Sequence, residues 1–355
     1  MRELLTWYRA HGRSLPWRGT RDPWAIWVSE VMLQQTRVET VGPYWERFLR
    51  RFPTPTALAE ADEQEVLRHW AGLGYYRRAR HLHAAARDVV ARFGGEVPPT
   101  SQEFRSLKGV GRYTAGAVMS IAFDLPEPIL DGNVIRVLSR LFRITGDPRS
   151  VENQRRLWAL AEEVLPDEAA GDFNQALMDL GATICTPTSP NCDACPVSAR
   201  CEARAAGVVE SLPERTKRAP VKAVRAVCAV LTGADGRWLL ARRPDDGLLA
   251  GLWEFPGTDL VPGERRPPAL RRALSERLGL DLTSARLREL GAVTHLFTHR
   301  RLSLTAFSCE GWSGVPGALG YPEVKWVAPV DAASLPLPRL TLKVIGVLAE
   351  AGARA

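Results

Sequence analysis

The stretch from Ser106 to Arg140 constrains this chain most. It reads Ser-Leu-Lys-Gly-Val-Gly-Arg-Tyr-Thr-Ala-Gly-Ala-Val and, a little further on, Ile-Leu-Asp-Gly-Asn-Val-Ile-Arg-Val-Leu-Ser-Arg. A short helix is expected to run into Gly109-Val110-Gly111, and a second to start at Arg112. Two glycines permit a tight turn and leave backbone N–H groups uncovered at the start of the second helix. Such a terminus holds anions, because its first N–H groups lack intrahelical partners and the dipole is positive there. A DNA phosphate is the natural guest, with Lys108 and Arg112 adding charge. Beyond this second helix, Asp131 opens a polar break, Asp-Gly-Asn, between apolar residues and a new amphipathic helix. Asp131 or Asn133 suits a helix N-cap, and a functional carboxylate is the other reading.

The rest of the sequence is read around that hairpin. The chain has 355 residues, enough for two or three domains, and 45% of them are hydrophobic, enough for proper cores. A net charge of +7 suits a polyanionic partner. The basic side chains are 42 arginines and five lysines. No apolar run approaches the length of a membrane span and the N-terminus has no signal-peptide pattern. The expectation is therefore a soluble, cytoplasmic protein housed with the chromosomal DNA, without membrane contact and monomeric. Six cysteines in such a compartment do not suggest a disulfide framework.

Residues 1–205 read as almost wholly helical, with Pro or Gly between most helices. The helix that starts at Asp22-Pro23 carries apolar residues on nearly every side, so burial is expected. Glu30 then sits in an expensive place unless it lines a pocket, and burial would raise its pKa. A surface glutamate paired with Arg37 is the alternative. Further on, Gly72-Leu73-Gly74-Tyr75-Tyr76-Arg77-Arg78-Ala79-Arg80 sets aromatics between glycines and arginines. Leu73 or Tyr75 would enter a base stack while Arg77 and its neighbours hold phosphates; a turn with a solvated basic face is the bland alternative.

Hairpin and aspartate together resemble the helix-hairpin-helix and Gly/Pro-rich loop of the base-excision DNA glycosylase superfamily that includes endonuclease III. Adding Trp27-Val-Ser-Glu30-Val-Met-Leu-Gln-Gln35-Thr36 and the Gly-Leu-Gly-Tyr-Tyr segment makes the chain similar to the MutY-type adenine DNA glycosylases. The resemblance covers nearly the whole chain. It implies base flipping and excision of adenine mispaired with 8-oxoguanine or guanine in duplex DNA. Glu30 would protonate the adenine and Asp131 would stabilise an oxocarbenium-like sugar, electrostatically or by covalent capture. Asn133 would position Glu30 or the phosphate backbone, and Tyr113 would complete the pocket wall. Gln35 would fill the gap left by the flipped base, Leu73 and Tyr75 would press beside the opposing lesion, and Thr36 would touch its edge. Lys108, Gly109, Val110, Gly111 and Arg112 would hold the backbone. Bifunctional relatives carry a lysine nucleophile after the residue matching Arg112; this chain has Tyr113. Without an amine there, no Schiff base forms by that route.

Cys185, Cys192, Cys195 and Cys201 fall within 17 residues, a metal-site spacing that by itself suits zinc or a 4Fe–4S cluster. The resemblance implies one 4Fe–4S cluster per chain. Residues 206–222 read as a linker, after which the hydrophobic period changes to strands. The mixed region 223–355 resembles a Nudix domain, notably in Gly251-Leu-Trp-Glu-Phe-Pro-Gly257. Its helix has Glu276 as its only carboxylate, whereas a working Nudix hydrolase needs a glutamate cluster for divalent metal. That argues against a nucleotide-pool phosphohydrolase. A noncatalytic iron–sulfur DNA-binding protein would not need Glu30 and Asp131 together. Phe297-Thr298-His299 stands where the family's lesion-recognition loop reads Phe-Ser-His. The expected division is a six-helix module over 22–130, a cluster module of 1–21 plus 131–205, the linker and a Nudix-like lesion-recognition domain. The expected fold is a mainly α helix-hairpin-helix glycosylase followed by this α+β domain.

Overall fold

Asp22 and Pro23 start the helix on which the active region is built. The Asp22 carboxylate accepts from the Trp24 N–H at 2.9 Å, and Pro23 occupies the first turn, where no intrahelical donor is needed. The computed structural model describes residues 1–214 and 220–352. The core of the expected linker, residues 215–219, lies outside the described residues. The helices before the first strand are α1 (Arg2–His11), α2 (Pro23–Leu33), α3 (Val38–Arg51), α4 (Pro55–Ala59), α5 (Glu63–Trp70) and α6 (Arg77–Phe93). They continue with α7 (Ser101–Arg105), α8 (Arg112–Phe123), α9 (Gly132–Leu141), α10 (Val151–Val164), α11 (Ala170–Thr183) and α12 (Glu202–Ala205). Contacts divide the chain into two units, Met1–Ala61 with Arg80–Arg218 and Asp62–Ala79 with Ala219–Ala355. No helix among the described residues is long and apolar enough to cross a membrane.

In the first unit α2 packs on α8, and α11 lies against α1, α8 and α9. As its all-round apolar sequence requires, every residue of α2 from Trp24 to Met32 is buried. Trp27 is wedged edge-on between Trp24 and Phe104, with ring centroids 5.6 and 4.8 Å away. The helix stops at Leu33; Gln34 has left it and Gln35 adopts φ +58°. Two glycines fix the remaining geometry. Gly109 in the hairpin turn has φ +82°, and a Cβ there would fall 2.7 Å from that of His81. In α11, a Cβ on Gly181 would fall 2.7 Å from that of Asn133, so this glycine lets the start of α9 press against the helix.

The second unit holds seven strands: β1 (Lys222–Leu231), β2 (Trp238–Arg242), β3 (Trp253–Glu254), β4 (Gly257–Asp259), β5 (Arg286–Leu296), β6 (Arg300–Glu310) and β7 (Glu323–Val327). One sheet has the order β4-β1-β6-β5, with β1 and β6 parallel, and the other β3-β2-β7. Helix α13 (Arg266–Leu278) packs on β1 and β4, and α14 (Arg339–Gly352) on β5. Strand β4, three residues long, was not expected from the sequence, because so short a run carries no readable period. Segment 62–79 joins this unit: Gln64 donates to the Gly251 carbonyl at 3.1 Å and accepts from the Trp253 indole at 3.0 Å.

Candidate active site

Helices α2, α8 and α9 bring Glu30, Tyr113 and Asp131 to one cavity of about 550 Å³ in the first unit. Glu30 is 3% exposed, and no ion pair with Arg37 is formed; the Tyr113 hydroxyl donates to its Oε2 at 2.7 Å. Burial drives the Glu30 pKa up to about 7, with the nearby Asp131 charge adding to the rise. The Tyr113 bond and the Arg18 charge oppose that rise without cancelling it. Burial also lifts the Tyr113 hydroxyl well above its ordinary value, so it stays a donor. Its other neighbour is the Met178 sulfur, at 3.7 Å.

Asp131 caps a helix and also faces the cavity. As the N-cap of α9, its Oδ1 accepts from the Val134 N–H at 2.7 Å, while Oδ2 accepts from the Asn133 side chain at 3.0 Å and the residue lines the cavity. Burial raises its pKa, and the Val134 and Asn133 bonds pull it back. Asn133 therefore serves Asp131 rather than Glu30, and its own oxygen accepts from Arg136 at 2.8 Å. Gln35 and Thr36 line the same cavity.

The sequence reading overlooked the wall behind these residues. Asp179 is fully buried and accepts from the Arg13 backbone and Nε at 2.9 and 2.8 Å, and from Arg18 Nη2 at 2.9 Å. Burial pushes its carboxyl up, but Arg18 and Arg13 together hold it below the usual range. Arg13, Arg18, Trp17 and Gln175 all line the cavity. A carboxylate in the apolar run Leu177-Met178-Asp179-Leu180 was the available signal, by the same reasoning that singled out Glu30.

At the hairpin, Lys108, Gly109 and Gly111 are exposed and Val110 is buried. Gly111 caps α8 with no side chain, so the first-turn N–H groups receive no bond from the cap residue. Arg112 is already engaged: its guanidinium lies 3.9 Å above the Trp158 ring and pairs with Glu162. The other expected DNA contacts lie in the second unit. Leu73 is buried, whereas Tyr75 is 46% exposed, with φ +48°. The Tyr75 hydroxyl is 2.7 Å from Thr298 Oγ1, and Arg78 lies over the Tyr75 ring. Arg77, Thr298 and His299 are exposed. Phe297 packs edge-on against His295.

Cys185, Cys192, Cys195 and Cys201 line one small cavity with Arg140, which donates to the Cys185 sulfur at 3.3 Å. Among the described residues, no three His, Cys, Asp or Glu side chains are placed so as to hold a metal ion. In the second unit, Glu276 pairs with Arg272 on the surface of α13.

Family comparison agrees with this geometry. Residues 28–163 match the HhH-GPD superfamily of base excision DNA repair proteins, and 226–346 match the NUDIX domain. The chain is 39% identical to an adenine DNA glycosylase of Rattus norvegicus, over 92% of this chain and 73% of that protein. It is 38% identical to the adenine DNA glycosylase of Homo sapiens, over 91% and 69%. Among solved structures, a thermostable thymine-DNA glycosylase superposes with TM-score 0.53 at 33% identity, covering 58% of this chain and 94% of that one.

Proposed function

This chain belongs to the adenine DNA glycosylase family, and from that premise we propose that it excises adenine paired with 8-oxoguanine or guanine, as a monofunctional monomer acting on the chromosomal DNA in the cytoplasm. As a family member it is a base-excision-repair enzyme that breaks the N-glycosidic bond of adenine. The observation that carries the finer reading is the placement of Glu30 and Asp131 on one cavity, the first with a pKa of about 7. Protonated Glu30 gives its proton to a ring nitrogen of the flipped adenine. The electron pair of the C1′–N bond leaves with the base, and the sugar becomes an oxocarbenium ion facing the Asp131 carboxylate. Glu30, now ionised, takes a proton from the water that adds to C1′. Tyr113 stays hydrogen-bonded to Glu30 throughout and offers no amine, which supports a glycosylase without lyase activity.

The uncapped start of α8 and Lys108 form the phosphate site, with Arg112 steadying the turn through Trp158 and Glu162. In the second unit, Tyr75 and the Phe297-Thr298-His299 loop read the base opposite adenine, and the Tyr75–Thr298 bond holds the reading hydroxyl in place. Four cysteines around one cavity, with an arginine donating to one sulfur, fit a 4Fe–4S cluster. Cys185, Cys192, Cys195 and Cys201 would hold it and would thereby tie the chain after α11 into one folded loop, away from the residues that act on the base. Purified protein should then be yellow-brown with about four iron atoms per chain; stoichiometric zinc after iron-replete expression rules the cluster out.

A duplex carrying adenine opposite 8-oxoguanine tests the whole reading. Free adenine should appear, strand breaks should require alkali, and borohydride should trap little protein on the DNA. Efficient trapping makes the enzyme bifunctional, and no adenine release refutes the activity.

A further inference from the structure

The loop that carries Tyr75 is held by a cation that the sequence places among the phosphate ligands. Along this loop Gly72, Gly74 and Tyr75 adopt φ of +104°, +72° and +48°. Glycine takes such values freely, but a tyrosine does so only where its surroundings over-determine the backbone. Leu73 and Tyr76 are buried on either side, and Tyr75 between them is 46% exposed. Backbone strain thus goes into presenting one ring.

Two side chains hold that conformation. The indole of Trp70, a buried residue, donates to the Gly74 carbonyl at 3.1 Å. Arg78 Nη2 donates to the same carbonyl at 3.1 Å and to that of Leu73 at 3.4 Å. The Arg78 guanidinium stands 5.3 Å from the Trp70 ring centroid and 5.6 Å from that of Tyr75, both within cation–π range. Its backbone N–H also donates to the Tyr75 carbonyl, at 2.9 Å, where the loop passes into α6. Burial pulls the Arg78 pKa down to about 10, so the charge persists at neutral pH. Arg77 beside it is exposed.

We propose that Arg78 is a positioning residue for lesion discrimination: it fixes the Tyr75 ring and hydroxyl against Thr298 instead of holding a DNA phosphate. This rests on the reading that Tyr75 and Thr298 face the base opposite adenine. The flat guanidinium fork is used inside the protein, on two main-chain oxygens and two aromatic rings. A lysine there would keep the charge and lose the fork. The 2.7 Å contact between Tyr75 and Thr298 then depends on Arg78 as much as on the loop that carries Thr298.

Single-turnover excision from 8-oxoguanine:A and G:A duplexes tests this through a double-mutant cycle. Arg78→Leu should lower the preference for 8-oxoguanine:A by about three- to tenfold. On top of Tyr75→Ala the same change should lower it no further, because Arg78 acts through that ring. The salt dependence of duplex binding should match wild type in Arg78→Leu, whereas loss of a phosphate ligand reduces the slope by about one. An undiminished preference, an additive loss or a shallower salt slope overturns the proposal. Should Arg78→Leu fail to fold, Arg78→Lys decides: it should lose preference to a similar extent, and a preference equal to wild type would make Arg78 a mere point charge. If Tyr75→Ala itself leaves the preference intact, the lesion-reading assignment fails instead, and fluorine NMR of fluorotyrosine-labelled protein without DNA still judges Arg78. The Tyr75 line, assigned with Tyr75→Phe, should move in the Arg78 variant towards the position of a solvated fluorotyrosine; an unmoved line overturns the positioning role.

Discussion

Glu30 and Glu254 are both glutamates withdrawn from solvent, one in each unit, and their surroundings differ in one respect. A single Arg243 nitrogen, 2.8 Å from each oxygen, donates to the Glu254 carboxylate. Glu30 receives a neutral phenol, and its carboxylate neighbour Asp131 repels further charge. Burial pushes both carboxyls above their ordinary value, and in Glu254 the arginine opposes that rise directly without cancelling it. Arg18, the cation whose charge acts on Glu30, is drawn off by Asp179. A neutral phenol beside a repelling carboxylate thus leaves Glu30 able to carry a proton, whereas an arginine nitrogen shared by both oxygens ties Glu254 into an ion pair.

Removing each acid should separate the two cases. Glu30→Gln should lower single-turnover adenine release by about 10²–10⁴-fold with duplex binding retained, whereas Glu254→Gln should leave release from an A:G duplex nearly unchanged. Comparable losses from the two variants would erase the distinction. Asp131→Asn should cost about 10²–10³-fold if its role is electrostatic. The same variant also keeps the α9 cap, since the amide oxygen can still accept from Val134. A large fall in melting temperature for Asp131→Asn would therefore assign the loss to folding instead.

Stability should move in opposite directions. Glu254→Gln leaves Arg243 without its countercharge and should destabilise by about 3–5 kcal/mol. For Glu30 the folded-state pKa lies above the unfolded one, so the native protein holds its proton more tightly. Stability is then unaffected below the unfolded value of 4.5, falls as pH rises towards 7, and above that carries the full penalty of a buried charge. That penalty is about 3 kcal/mol, so Glu30→Gln should be more stable than wild type at pH 8 and no more stable at pH 4. Denaturant melts at the two pH values decide it. The smallest effect expected is on lesion reading: Thr298→Ala or Tyr75→Phe should each reduce preference for 8-oxoguanine:A over G:A by about 0.5–1.5 kcal/mol. Single-turnover constants on both duplexes, at one salt concentration, measure it.

Much of this arrangement was legible in the sequence, and the reasons are local. The hairpin glycines, the Asp22-Pro23 start and the apolar surround of Glu30 are statements about a few adjacent residues, and they place α2, α8 and the two carboxylates correctly. Apart from β4, the strands of the second unit announced themselves by their change of period. What could not be read was made by distant segments meeting. Arg13 and Arg18 find Asp179 across more than 160 positions, and Tyr75 finds Thr298 across 223. Arg112, read as a phosphate ligand from its place beside the turn, meets Trp158 and Glu162 on α10, which its local sequence does not announce. Leu73, read as a wedge, is buried because a leucine beside glycines says nothing about which side it will face.

The most direct test of the account is the titration of Glu30 itself. Carbon-13 NMR of side-chain-labelled glutamate, with Glu30→Gln for assignment, reports its protonation in the free protein. An apparent pKa of about 7 is expected, well apart from the exposed glutamates. A Glu30 carboxyl that titrates at its ordinary value of 4.5 would contradict the claim that this residue is kept as a proton donor by burial without a cation.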